Sequence, residues 1–83
     1  MAERPRFTLY SRRYCHLCHD MLVAVAPLCR EYAIALEVVD VDADPELARR
    51  FDELVPVLMH REVELARWRL DPAAVRAYLA EIG

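Results

Sequence analysis

Two cysteines separated by two residues, Cys15-His16-Leu17-Cys18, lie where a strand pattern gives way to a helical one. No other feature restricts the fold as much. Before this junction Phe7, Leu9 and Ser11 alternate with Thr8 and Tyr10, the period of a short strand over Arg6–Ser11. After it Leu17, Met21, Val25 and Leu28, flanked by Leu22, Ala24 and Cys29, recur at helical spacing to about Tyr32. Pro27 falls inside that run. It has no N–H to donate and crowds the preceding turn, so the sequence predicts a kink, or a helix that ends and restarts.

The remaining segments follow the same reading. Ala35–Val41 is short and β-branched, a second strand. Asp44-Pro45 opens a second helix to about Asp52 or Glu53: an acid to cap, a proline at the first helical position. Val55-Pro56 breaks it. Val57–His60 and Val63–Ala66 form two short strands around Arg61-Glu62, a tight turn without glycine. Asp71-Pro72 repeats the capping signature, and Val75, Leu79 and Ile82, with Ala74 and Tyr78, form the apolar face of a last helix. The order is β-α-β-α-β-β-α. A strand, helix and strand close in sequence imply a right-handed parallel unit, and the later hairpin adds antiparallel strands. The expected architecture is one mixed four-stranded sheet flanked by three helices, an α/β fold in a single domain over residues 1–83.

The 83 residues suffice for one small core and not for two. The net charge of −3, from 14 acids against 11 bases, argues against a nucleic-acid partner. The longest apolar stretch, Met21 to Leu28, is too short to span a bilayer, so no membrane partner is expected. Met1-Ala2-Glu3-Arg4 lacks the apolar core of a secretory signal. A cytoplasmic setting follows, where thiols stay reduced. Three cysteines do not form a stapled secreted framework.

Residues three apart on a helix bring their side chains to about 5–6 Å, and a slightly tightened first turn closes the gap to disulfide range. The helix start offers unpaired N–H groups and the positive end of its dipole, which favour a thiolate. An ordinary cysteine, with pKa about 8.5, is mostly protonated at neutral pH. Arg12, Arg13 and His16 are the nearby cations expected to lower that value, and protonated His16 would also raise the reduction potential. Cys15, the more exposed, is expected to be the nucleophile; Cys18, one turn deeper, resolves the mixed disulfide.

The same residues admit other readings. Both cysteines could be core. Cys15-His16-Leu17-Cys18-His19 also matches the haem-attachment pattern. Haem attachment normally needs export, and this pattern of short elements leaves little room for a haem pocket. A metal site from Cys15, His16, Cys18 and His19 would need a second ligand pair at a distance, and only Cys29 and His60 remain. His19 reads more simply as a solvent-facing helix residue and His60 as a hairpin residue. Cys29 lies about 16 Å along the helix from Cys18, too far to join the pair, and reads as core.

With these elements placed, the chain resembles the glutaredoxin-like branch of the thioredoxin superfamily. Leu9-Tyr10-Ser11-Arg12-Arg13-Tyr14-Cys15-His16-Leu17-Cys18 is similar to the glutaredoxin strand-loop-helix segment. Val38-Val39-Asp40-Val41-Asp42 and Val55-Pro56-Val57-Leu58 are similar to its second strand and proline loop. The resemblance implies a thioredoxin-like fold and a cis Pro56 beside Cys15, with the Val55 backbone pairing with an extended peptide or glutathione. It implies that Arg12 contacts a glutathione carboxylate and that Asp71 lies near the glutathione amino end. The chain departs from the family at the Gly-Gly pair after the last strand, where it reads Ala66-Arg67-Trp68-Arg69; its only glycine is Gly83. His16-Leu17 replaces the usual proline-aromatic pair. Trp68 reads either as a groove wall or as cover for the core.

The expected function is thiol–disulfide oxidoreduction, with no bound cofactor and glutathione as a co-substrate. Partners would be a disulfide-containing protein or small-molecule disulfide, and glutathione or a thioredoxin-type reductant, acting on a monomer. The alternative is a binding or adaptor module of the same fold without turnover.

Overall fold

β1 (Arg6–Ser11) runs through the middle of the sheet and organises the rest. The computed structural model describes residues 5–82; Met1–Arg4, where a signal was sought, and Gly83 lie outside them. β1 pairs in parallel with β2 (Ala35–Asp40), Leu9 opposite Val38, and antiparallel with β3 (Val57–His60), Leu9 opposite Leu58. β3 turns back into β4 (Val63–Arg67), so the strand order is β2-β1-β3-β4. This is the expected mixed four-stranded sheet.

The strand period sorts the apolar residues onto two faces. Phe7, Leu9, Leu58 and Ala66 face α1 (His16–Glu31) and α3 (Pro72–Ile82), packing with Met21, Val25, Leu28, Val75 and Leu79. On the other face Val57, with Tyr10 and Met59 partly covered, meets Val41 and Phe51 of α2 (Pro45–Phe51) and its approach. Tyr10 stacks on Phe51 at a ring separation of 4.2 Å. Leu17 and Ile82, read as core-facing from their spacing, are instead 39 % and 43 % exposed. Each sits at a helix end, where the covering elements stop.

α1 continues through Pro27 as one helix, without the restart that the proline foretold. Pro27 lies on the exposed side, and the carbonyl it leaves without an intrahelical donor belongs to Val23, itself 59 % exposed, on the side of the helix where solvent can hydrogen-bond. α2 is shorter than expected and passes into a 3-10 turn over Asp52–Leu54. β2 likewise yields to a 3-10 turn at Val41–Ala43.

Caps set the helix starts. The Asp44 carboxylate accepts the Glu46 N–H (2.9 Å), and Asp71 accepts from Ala73 (3.0 Å) and Ala74 (3.4 Å). Each cap contributes about 1 kcal/mol. Among the described residues, which include no glycine, four take left-handed backbone: Tyr14, Ala33, Arg61 and Trp68. Arg61 turns the β3–β4 hairpin, and a bulge between Leu58 and Met59 adjusts its register. Arg76 on α3 forks onto Glu31 at the end of α1, both contacts at 2.9 Å. These bonds hold the Glu31 carboxyl below its usual range and the Arg76 guanidinium above its own. Half-buried His60 bonds through Nδ1 to the Tyr78 hydroxyl, a tie between β3 and α3 rather than a simple hairpin position.

Candidate active site

β1 ends at Ser11, and four residues, Arg12 to Cys15, carry the chain to α1. Tyr14 turns it with φ 57° and is fully exposed. Cys15 then takes extended backbone (φ −109°, ψ 110°) and stands at the N-cap of α1. Its Sγ accepts the Cys18 N–H at 3.1 Å, and its carbonyl accepts the His19 N–H at 3.1 Å. The sulfur therefore does what a serine or aspartate oxygen does at most helix starts. A negative charge on that sulfur would meet an N–H donor and the positive helix end together.

Cys15 and Cys18 form a disulfide with a Cα–Cα distance of 5.2 Å, inside the range such bonds require. Cys15 is half-buried, and Cys18 is 4 % exposed beneath it. Cys15 is thus the more accessible of the two. Cys29 is buried and unpaired, and burial pushes its thiol pKa up, which keeps it protonated and inert.

The two arginines before the dithiol are engaged elsewhere. Arg12 Nε donates to Asp42 at 3.0 Å, and its NH2 lies 3.7 Å from Asp52; Arg13 lies 3.8 Å from Asp40. Their charge is shared with three carboxylates, so the helix terminus is the most direct source of positive potential at Cys15. His16 and His19 are exposed on the first turn of α1. Among the described residues no three His, Cys, Asp or Glu side chains converge to hold a metal ion.

An open groove of about 470 Å³ runs between the β2 side of the sheet and α1, lined by Ser11, Arg12, Tyr14, Cys15, His16, Cys18, His19, Leu22 and Val38, with Leu9 beneath. Arg12, Cys15, His16 and Cys18 thus meet in one place; Arg13, Val55, Pro56 and Asp71 do not line it. The Val55–Pro56 bond is cis and Pro56 is buried. The Pro56 carbonyl accepts the Trp68 N–H at 2.9 Å, and the Glu53 carbonyl accepts the Trp68 indole N–H at 3.2 Å. The Asp71 carboxylate is committed to capping α3. Tyr14 also lines the groove, a position that the sequence patterns do not single out; an aromatic residue directly before the first cysteine is the available signal.

A parallel β-α-β unit, an antiparallel hairpin, a cis proline before β3 and a disulfide at the start of α1 define a thioredoxin-fold dithiol protein. Solved thioredoxins share this fold: mitochondrial thioredoxin 3 of Saccharomyces cerevisiae in its oxidised form aligns with TM-score 0.67 at 17% identity, covering 95% of this chain and 79% of that one. The thioredoxin of Fasciola hepatica aligns with TM-score 0.61 at 19% identity, over 94% and 80% of the two chains. Within this fold the chain belongs to the glutaredoxin-like domain family (DUF836), whose model matches residues 6–80.

Two structures are similar at higher identity. Protein Ne2328 of Nitrosomonas europaea is 32% identical, with TM-score 0.77 and 94% of each chain covered. Protein XcR50 of X. campestris is 36% identical, with TM-score 0.73, over 90% of this chain and 96% of that one. A comparison with curated proteins gives no match. The fold and the paired cysteines fit thiol–disulfide redox chemistry.

Proposed function

We propose that this protein is a thiol–disulfide oxidoreductase that cycles between a Cys15/Cys18 dithiol and the Cys15–Cys18 disulfide. One observation carries the reading. The half-exposed sulfur of Cys15 caps α1 and accepts the Cys18 N–H, while its disulfide partner Cys18 is buried under it.

The chemistry balances in two steps. The Cys15 thiolate attacks one sulfur of a substrate disulfide, forming a mixed disulfide and expelling the other sulfur as a thiolate. The Cys18 thiolate then attacks the Cys15 sulfur and frees the second substrate thiol. Two electrons pass to the substrate, and the protein is left as the Cys15–Cys18 disulfide. Two glutathione molecules, or one dithiol of thioredoxin type, restore the dithiol. A reduced cytosolic setting, which keeps that supply available, belongs to the proposal.

In the glutathione-linked form of this reading, Arg12 takes a glutathione carboxylate, the Val55 backbone beside Pro56 pairs with the peptide, and Asp71 takes the amino end. The cis proline and the position of Arg12 in the Cys15 groove support it. The ion pairs of Arg12 and the capping bonds of Asp71 are what that ligand would have to displace. A coupled assay on a small aliphatic disulfide tests the reading, run once with glutathione and glutathione reductase and once with thioredoxin reductase. Turnover in at least one arm is expected. Turnover in neither would leave a thioredoxin-fold binding module in place of an enzyme.

A further inference from the structure

Trp68 combines three unusual properties. It is the only tryptophan of the chain, yet it is 50 % exposed. Its backbone is left-handed (φ 67°), at the centre of a three-residue turn closed by the Arg69 N–H on the Arg67 carbonyl at 2.7 Å. Such a turn is rare and strained for a residue with a Cβ. Finally, Trp68 holds this position with two hydrogen bonds onto the segment before β3, at the carbonyls of Pro56 and Glu53. A tryptophan serving only as core cover would not need an exposed ring on a strained backbone.

The clamped indole forms one wall of a second groove, about 320 Å³, on the other face of α1 from the first. Its other wall is Leu17, the residue between the paired cysteines; Met21 and Leu70 are also apolar lining, and Asp20 and Arg69 are its charged residues. The size is at the lower end for ligand pockets, room for one large side chain and adjoining backbone. The charges are one of each sign, with no carboxylate paired to Arg69 among the described residues. A glutathione moiety brings two carboxylates and one ammonium, for which this groove supplies a single cation and a repelling carboxylate. A polypeptide with a large apolar residue next to its disulfide cysteine suits it better: most of the lining is apolar, and one lining residue, Leu17, lies between the paired cysteines.

Resting on the oxidoreductase reading above, we infer that Trp68 is a specificity-determining residue, and that the preferred substrates are polypeptide disulfides carrying a large apolar residue beside the cysteine. The bond exchange is the one already written: the substrate disulfide opens on Cys15, and the flanking side chain enters between Leu17 and Trp68.

The test compares symmetric disulfides of N-acetylated, C-amidated phenylalanyl-cysteine and seryl-cysteine, together with a small aliphatic disulfide. For the wild-type protein, kcat/KM for the phenylalanyl peptide should exceed that for the seryl peptide by about tenfold or more. W68A should reduce this ratio to about threefold or less, and L17A, at an exposed helix position, should do the same if W68A fails to fold. A second readout is independent of turnover. Each peptide is held as a mixed disulfide on Cys15 of the C18S variant, and the emission of Trp68 should shift to the blue only with the phenylalanyl peptide. Exchange at equal rates for the two peptides, a ratio untouched by both variants, or identical Trp68 emission from both adducts would overturn the inference while leaving the oxidoreductase reading intact. No exchange with any disulfide would remove that reading and this inference with it.

Discussion

Cys15→Ser should abolish disulfide reduction, lowering the rate by about 10³-fold or more, whereas Cys18→Ser should keep the first attack and lose the release step. The asymmetry follows from position. Cys15 is half-buried at the rim of the groove and its sulfur faces the helix N–H groups, so a hydroxyl there removes the only sulfur a substrate meets. Cys18 is almost fully covered and can act only on a sulfur already bonded to Cys15. Mass spectrometry of the C18S protein after exposure to a disulfide should show one mixed disulfide, on Cys15. Cys29 should carry none in the native protein, since burial keeps its thiol protonated and covered. An adduct on C15S equal to that on C18S would contradict the assignment of roles.

Leu9→Ala should cost about 2–5 kcal/mol, against a stability of about 5–15 kcal/mol for a small domain. Leu9 is completely buried in the sheet, opposite Val38 on one side and Leu58 on the other, so its truncation removes apolar contacts from the core face of the sheet. In urea the unfolding midpoint should fall by about 2 M or more, taking an m-value near the low end for small proteins, about 1 kcal/mol/M. Val23→Ala serves as the contrast. It is 59 % exposed on the solvent side of α1 and should change stability by less than about 0.5 kcal/mol. Equal effects from the two substitutions would mean that the sheet–α1 interface is not the centre of stability.

Much of this fold is legible in the sequence because its signals are local. The alternation in Arg6–Ser11, the Asp44-Pro45 and Asp71-Pro72 starts and the cysteine spacing each act within a few residues, and each marks the element observed. What escapes depends on distant partners or on solvent. Pro27 reads as a kink or a restart, and the restart is absent because Pro27 and Val23 lie on the exposed side of α1, which a sequence window does not reveal. Arg12 and Arg13 read as cations for Cys15, because nothing local announces the carboxylates of Asp40, Asp42 and Asp52 brought beside them by β2 and the 3-10 turns. His60 meets Tyr78 across 18 positions. The cis bond at Pro56 came from family resemblance and not from residue chemistry, since most X-Pro bonds are trans. At Trp68 the sequence left two readings open, and the clamp onto the Pro56 and Glu53 carbonyls was hidden until strand β4 had a place beside β3.

The claim beneath all of this is electrostatic: a sulfur at the cap of α1 is stabilised as an anion. Alkylation rates of Cys15 in the reduced C18S protein, followed as a function of pH, measure that directly. The account predicts a midpoint at about 7.5 or lower, within the range of cysteines at helix starts. A midpoint at about 8.5, that of an ordinary thiol, would contradict it.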